Sequence, residues 1–289
     1  MIARFPIELH ATQVAEFRDN GYLVTPEVFT PQELRALTRA VDDEVARRTV
    51  DDVRVLAAKS TYEQSFIQCM RLWETAPEVA PFSMHAGLAG IAAQLLEVDS
   101  LVLWQDQALY KEAGGRETTP HQDQTFWPIG SEPLVSAWIA LDDVSQDNGA
   151  MSYVPGSHKV GGLKVVDITH TSEPYDILQD PALGGSTPRT VEVSAGSVVW
   201  HHGFTVHQAA ANNTPRTRRV FTTVYLSAQA RRAKAWPAYP LDRAGVGVGE
   251  VIAGEGLPQV WPPLSEMPKV PAAVSQATGP QYSVPQTPS

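Results

Sequence analysis

The chain predicts a mainly β fold with flanking α-helices: an antiparallel double sheet of the sandwich or barrel kind, covered by helices on one side. Three observations carry this. Helical periodicity is confined to the region before Leu101, short apolar or alternating runs fill about 101 to 226, and Gly-, Pro-, Asn- and Asp-rich turns separate those runs.

In order, Val14 and Phe17 sit at helical spacing in 11–19, and Asn20-Gly21 supplies a terminator. Tyr22-Leu23-Val24 is a short strand candidate. Thr30-Pro31-Gln32-Glu33 is a helix start: Thr30 can cap, Pro31 fits the first turn, and Glu33 can complete a capping box. Leu34, Leu37, Val41 and Val45 line one face of that helix. Further helices are expected over about Tyr62–Trp73 and Gly87–Leu96, then strands over 101–104, 134–141, 150–154, 190–193, 197–201 and 219–226.

The length of 289 residues, 43% of them hydrophobic, suits one large domain. We place it at 1–265, with N-terminal helices over about 11–96, the β core over about 101–226 and a Pro/Gly-rich wrap over 227–265. Residues 266–289, with five prolines among small polar residues and no sustained period, are expected to be a flexible tail. No apolar run approaches the roughly 18 residues needed to cross a bilayer, and the opening residues do not read as an export signal. A soluble cytoplasmic protein, monomer or homodimer, is expected. A net charge of -10 opposes nucleic acid and acidic membrane surfaces. The single Cys69 excludes an internal disulfide and a thiolate cluster. It reads as a small buried apolar residue on a helix.

The chemistry lies in His121-Gln122-Asp123 and, far downstream, His207. Two imidazoles and one carboxylate hold one face of an Fe(II) ion and leave positions open. On a strand, residues i and i+2 point to the same side and can grip one metal. His201, His202 and His207 compete for the third place, although in extended backbone only one of the first two can face a given side. Arg218 opens Arg218-Arg219-Val220-Phe221-Thr222-Thr223-Val224-Tyr225, a strand from which a guanidinium can clamp a carboxylate through two parallel hydrogen bonds. Surface salt bridging is the plainer account of Arg216, Arg218 or Arg219 taken singly. Asn148-Gly149 and Pro155-Gly156-Ser157 read as turn formers, and His158 as structural.

In order and approximate spacing, Tyr110-Lys111, His121-Gln122-Asp123, Trp138, Asp147-Asn148-Gly149, Val154-Pro155-Gly156-Ser157-His158-Lys159 and His207 through Arg218 resemble the phytanoyl-CoA dioxygenase family of Fe(II)- and 2-oxoglutarate-dependent oxygenases. The resemblance runs from about residue 12 through 226. It implies a double-stranded β-helix (jelly roll, cupin-like) core and a single oxygenase domain. It also implies His121, Asp123 and His207 as iron ligands, Arg218 as anchor of the 2-oxoglutarate distal carboxylate, and O2 as second co-substrate. Gln122 and Trp138 match positions bordering co-substrate or substrate, and Lys111 resembles a basic residue near the same pocket. Expected pocket contributors are Gln105, Tyr110, Phe126, Trp127, Trp138, Tyr153 and Trp200, of which strand alternation sends about half into the core instead. Aromatic walls suit a medium-sized organic metabolite with a few polar handles. The carboxylate at Asp123, where a small residue would make room for halide, argues for hydroxylation of a small-molecule substrate in specialised biosynthesis, with desaturation, epoxidation and ring rearrangement left open because substrate placement selects among them. The alternatives are an acyl-CoA or lipid hydroxylase, a jelly-roll hydrolase or isomerase with the same ligands, and a non-catalytic jelly-roll binding protein. A CoA ester needs a basic phosphate-binding surface, for which only Arg231, Arg232 and Lys234 offer themselves.

Overall fold

The computed structural model describes residues 7–26, 28–173 and 175–274. Helices α1 (Ala11–Asn20), α2 (Pro31–Thr49), α3 (Ala80–Ser83) and α4 (Ala86–Leu96) lie in the N-terminal third, with strands β1 (Tyr22–Thr25) and β2 (Ile67–Met70) among them. Then follow β3 (Leu101–Lys111), β4 (Thr118–His121), β5 (Leu134–Ala140), β6 (Met151–Tyr153), β7 (Arg189–Val191), β8 (Val198–His202), β9 (His207–Ala209) and β10 (Arg218–Ser227). Helix α5 (Tyr239–Arg243) and β11 (Gln259–Trp261) close the series. The fold is mixed α/β, built on two antiparallel sheets. The larger has the order β1-β8-β5-β10-β3-β11 with β2 also paired to β3, and the smaller the order β4-β9-β6-β7.

Local signals account for the helix ends. Gly21 ends α1 in the left-handed region (φ 78°), and its N–H donates to Phe17 O at 2.7 Å. At α2, Thr30 Oγ1 accepts from Glu33 N–H at 3.2 Å while Glu33 Oε2 accepts from Thr30 N–H at 2.8 Å, the reciprocal box expected. Its buried face is Leu37, Val41 and Val45.

Alternation sorts the large sheet into two faces. Val135, Ala137, Ile139, Val198, Trp200, Phe221 and Tyr225 point to the helices and share a core with Phe17, Leu37, Leu88 and Ile91. Trp138, Ala140, Val199 and Val220 point the other way and pack with Met151, Tyr153 and Ala209 of the small sheet. Each fully buried Val, Leu, Ile, Phe or Met side chain among these contributes about 1.5–3 kcal/mol. The chain after β10 covers a third cluster, in which Leu241, Ile252 and Leu257 pack on Val102, Trp104 and Leu226.

The expected helix over Tyr62–Trp73 is not formed. Ile67–Met70 is a strand against Tyr110–Gln107 of β3, ended by Arg71 in the left-handed region (φ 53°). The far half of β3 has a free edge there, since β11 pairs only with its first two residues, and sheet pairing overrides a weak helical pattern. Cys69 is buried as expected, but on this strand, where burial raises its thiol to about 11. Strand β3 also runs seven residues past the expected end at 104, because Gln105, Gln107 and Leu109 face a cavity rather than solvent. Within the tail expected from 266, Ala272 N–H donates to Glu255 at 2.6 Å and Ala273 O accepts from Arg243 at 2.8 Å. Residues 275–289 lie outside the described residues.

Candidate metal centre

His121 ends β4 and His207 opens β9, and the two are direct cross-strand partners. Beyond His121 the backbone stays extended through Gln122 (φ -118°, ψ 127°) before Asp123 starts a short helical turn. The i, i+2 alternation expected of a strand therefore survives although the strand has ended. Across the small sheet, Ser157 Oγ accepts from Val206 N–H at 2.8 Å and donates to Val154 O at 2.7 Å. This ties the Pro155-Gly156-Ser157 turn to the residue preceding His207. The nearby His158 ring reaches Arg18 O, at 3.1 Å, and has a structural place outside the centre.

One ligand atom from each of His121, Asp123 and His207 lies within 4.8 Å of the other two. Both imidazoles carry their proton on the far nitrogen: His121 Nδ1–H donates to Thr119 O at 2.7 Å and His207 Nδ1–H to Thr205 O at 2.9 Å. Their Nε2 lone pairs consequently turn inward, 3.4 and 3.6 Å from Asp123 Oδ1. Burial would raise the Asp123 carboxyl, but interactions with His207, His121 and His201 outweigh it and hold the group well below the usual range. Burial pushes His207 down to about 3. Carboxylate and neutral imidazole are the protonation states a divalent ion requires. A facial N,N,O set with the opposite side open fits Fe(II).

The centre floors a cavity between the two sheets. Of the residues expected there, Gln105, Phe126, Trp127, Trp138 and Arg218 line it. Tyr110, Tyr153 and Trp200 do not. Tyr110 and Trp200 point to the helix side, where Tyr110 OH donates to Asp42 at 2.5 Å and Trp200 Nε1–H to Thr25 Oγ1 at 2.8 Å. Tyr153 lies buried behind the metal centre, stacked on Tyr22 at 4.9 Å. Gln122, matched to the co-substrate border, instead bridges loops: its amide donates to Gly161 O and Phe204 O and accepts from Leu163 N–H. The odd position between two ligands points away from them. Lys111 is buried beside the cavity, bonded to Arg116 O and Thr118 Oγ1, and burial, with Arg218 adding to it, lowers it to about 7.

The adjacent arginines are sorted by the pleat. Arg219 is paired with Asp142 (2.5 Å) and Asp42 (2.7 Å). Arg218 points into the cavity, with its guanidinium 5.2 Å from the Trp138 ring centre. It is buried, and its Nε and Nη1 have no hydrogen-bond partner among the described residues. Thr222 Oγ1, on the same face of β10, is likewise buried without a partner.

Sequence reasoning missed Gln68, Met70, Gln107 and Thr222, which also line the cavity. Gln107 and Thr222 follow by alternation from Gln105 and Arg218, whereas the misread strand β2 hid Gln68 and Met70. His201, a competitor for the third ligand place, also lines the cavity, but its Nε2 lies 3.1 Å from Asp123 Oδ2 rather than with the inward-turned Nε2 pair.

The family model for phytanoyl-CoA dioxygenase (PhyH) matches residues 17–220. A phytanoyl-CoA dioxygenase domain-containing protein 1 from Danio rerio is 26% identical over 264 residues, covering 72% of this chain and 87% of the relative. Among solved structures, the non-heme alpha ketoglutarate dependent carbocyclase SnoK from nogalamycin biosynthesis is 29% identical with a TM-score of 0.70, covering 87% of this chain and 96% of SnoK. The epimerase SnoN from nogalamycin biosynthesis is 25% identical with a TM-score of 0.68, covering 86% and 97%. With the inward-turned Nε2 pair and the carboxylate between them, these matches make the chain a member of the phytanoyl-CoA dioxygenase family, an Fe(II)- and 2-oxoglutarate-dependent oxygenase with a 2-His-1-carboxylate triad.

Proposed function

We propose that the enzyme hydroxylates an uncharged, medium-sized organic metabolite in specialised biosynthesis, and that Arg218 anchors the distal carboxylate of 2-oxoglutarate. The observation that carries this is the buried, unpartnered guanidinium opening on the same cavity as the triad. Burial lowers Arg218 only to about 10, so it stays cationic at neutral pH and calls for an anion. Its fork suits a carboxylate, and Thr222 Oγ1 offers a further hydrogen bond. Trp138, beneath the guanidinium, keeps water from it. We take the two sheets to be the halves of a double-stranded β-helix with this cavity at its mouth.

Iron and 2-oxoglutarate, when bound, supply the oxidising power, with decarboxylation to succinate and CO2 coupled to oxidation of the substrate. The chain's own residues decide what is oxidised. Tyr62, Phe66, Phe126, Trp127 and Ile168 form an apolar wall. Gln68, Gln105 and Gln107 form a neutral amide strip opposite the small sheet, in which Gln68 Nε2 donates to Gln107 Oε1 at 2.7 Å. Among the lining residues the only permanent charges are Asp123 and Arg218, both assigned, so the remaining space suits a neutral molecule with hydroxyl or carbonyl handles. Among the described residues, the basic cluster on which the acyl-CoA alternative would rely is already engaged. Arg232 is buried and bonded to Val246 O and Trp236 O, and Arg231 to Gly249 O, so this basic cluster pins the C-terminal wrap. The nogalamycin enzymes SnoK and SnoN, similar over most of the chain, support a role in small-molecule biosynthesis.

Anaerobic addition of Fe(II) and 2-oxoglutarate should produce the visible charge-transfer band of the chelate. Arg218→Ala should weaken 2-oxoglutarate binding by about 2–4 kcal/mol, and Arg218→Lys by less. Equal affinity in wild type and Arg218→Ala would exclude the anchor. A substrate that stimulates succinate release should gain one oxygen atom by mass.

A further inference from the structure

Asp123 offers two oxygens to a metal, and in the structure the two meet different neighbours. Oδ1 faces the Nε2 atoms of His121 and His207 at 3.4 and 3.6 Å. Oδ2 is 3.1 Å from His201 Nε2 and 3.2 Å from Ser136 Oγ. A carboxylate only accepts, so His201 Nε2 carries a proton and donates, as does the Ser136 hydroxyl. We propose that His201, with Ser136, is a positioning residue of the iron centre: it holds Oδ2 away from the metal, makes Asp123 a one-oxygen ligand, and so preserves the open positions.

Four features favour this over a packing role. Ser136 and His201 are direct cross-strand partners on β5 and β8, so both project from one face of one rigid sheet at one carboxylate oxygen. His201 is 2% exposed, and its Nδ1 has no hydrogen-bond partner among the described residues, which leaves the Asp123 contact as the one polar interaction of a buried imidazole. A phenyl ring would fill the same space without exposing buried nitrogen, so the imidazole is explained by its donor. Finally, His201 is no fourth ligand: the set of mutually close ligand atoms is His121, Asp123 and His207, and the donated proton occupies the Nε2 that would otherwise bind. With Oδ2 released, the carboxylate can rotate and take a second coordination position, one that a chelating 2-oxo acid or O2 would need.

The test reads metal binding by the apo-protein, with Co(II) as a spectroscopic substitute for iron and no 2-oxoglutarate present. Its outcome is therefore independent of the anchor assigned to Arg218. His201→Phe, which keeps a ring, should weaken Co(II) binding by about 10–100-fold, the usual effect of losing a partner that orients a ligand. It should also alter the visible Co(II) spectrum, as a two-oxygen carboxylate changes the coordination number. His201→Gln, whose amide can donate to Oδ2, should recover most of the affinity. Wild-type affinity and spectrum in His201→Phe would overturn the proposal, and so would loss in the Gln variant equal to that in Phe at wild-type thermal stability. Should His201→Phe fail to fold, Ser136→Ala decides, since it removes the other donor without disturbing the ring. Weakened binding with an altered spectrum supports the proposal, and unchanged binding overturns it.

Discussion

An imidazole can bind a metal through Nε2 only if its proton sits on the other nitrogen, and at both histidines the carbonyl two residues earlier in the chain arranges this. His121 uses Thr119 O and His207 uses Thr205 O, so the ligand-ready tautomer is built into local extended backbone before any metal arrives. Replacing a ligand should therefore remove metal binding without unfolding the chain. Asp123→Ala and His207→Ala should each lower Co(II) affinity by more than the roughly 100-fold expected for an outer partner, with circular dichroism unchanged. Gly149 is an equally local constraint. It adopts φ 101° in the Asp147-Asn148-Gly149 turn, and a Cβ there would come 2.7 Å from Lys111 Cδ and 3.1 Å from Ala210 O. Gly149→Ala should cost about 1–3 kcal/mol, measured by urea unfolding, and should disturb Lys111 beside the cavity.

Between elements, a buried charge cluster locks α2 to the end of β2. Glu44 accepts from Arg47 at 2.7 Å, from Arg48 at 2.6 Å and from Thr75, while Arg48 also donates to Met70 O at 2.7 Å. Burial works against ionisation of Glu44, yet Arg47, Thr75 and Arg48 outweigh it and bring the carboxyl to about 2, from 4.5 in the unfolded chain. Between those values the folded state binds fewer protons than the unfolded one. The contribution is thus complete above about pH 4.5 and is lost as pH falls through about 2. Glu44→Gln should destabilise the protein at pH 7 by about 3 kcal/mol, because it strands Arg48. It should also lose less stability than wild type on acidification across that window, read by urea melts at each pH. This cluster holds Met70 of the cavity wall on the segment whose strand the sequence concealed. Phe66, Ile67, Cys69 and Met70 alternate poorly, and only the exposed edge of β3 makes them a strand.

At the scale of the whole molecule, the segment after β10 is part of the core. Arg243 forms an ion pair with Glu74 at 2.7 Å in which both side chains are buried, 5% and 0% exposed, and α5 lies over Val102 and Leu226. Arg243→Met should leave Glu74 buried and unpaired at a cost of about 3–5 kcal/mol. It should also render the chain beyond Ser227 sensitive to limited proteolysis. Among the described residues no helix is long and apolar enough to cross a membrane.

The His121, Asp123 pair, the capping of α2, the turn at Gly149 and most strands of the β core were legible in the sequence, because each rests on a short pattern: i, i+2 alternation, a capping box, a glycine that must accept positive φ. Local pattern left His201, His202 and His207 open as third ligand, and only the resemblance to a known family pointed to His207. Strand β2 with Gln68 and Met70 on the cavity, the outward turn of Tyr110 and Trp200 and the donors to Asp123 Oδ2 were decided by tertiary structure alone. Each depends on which face of which sheet meets a partner far away in the chain, and that is a property of pairing between distant strands rather than of any local run of residues.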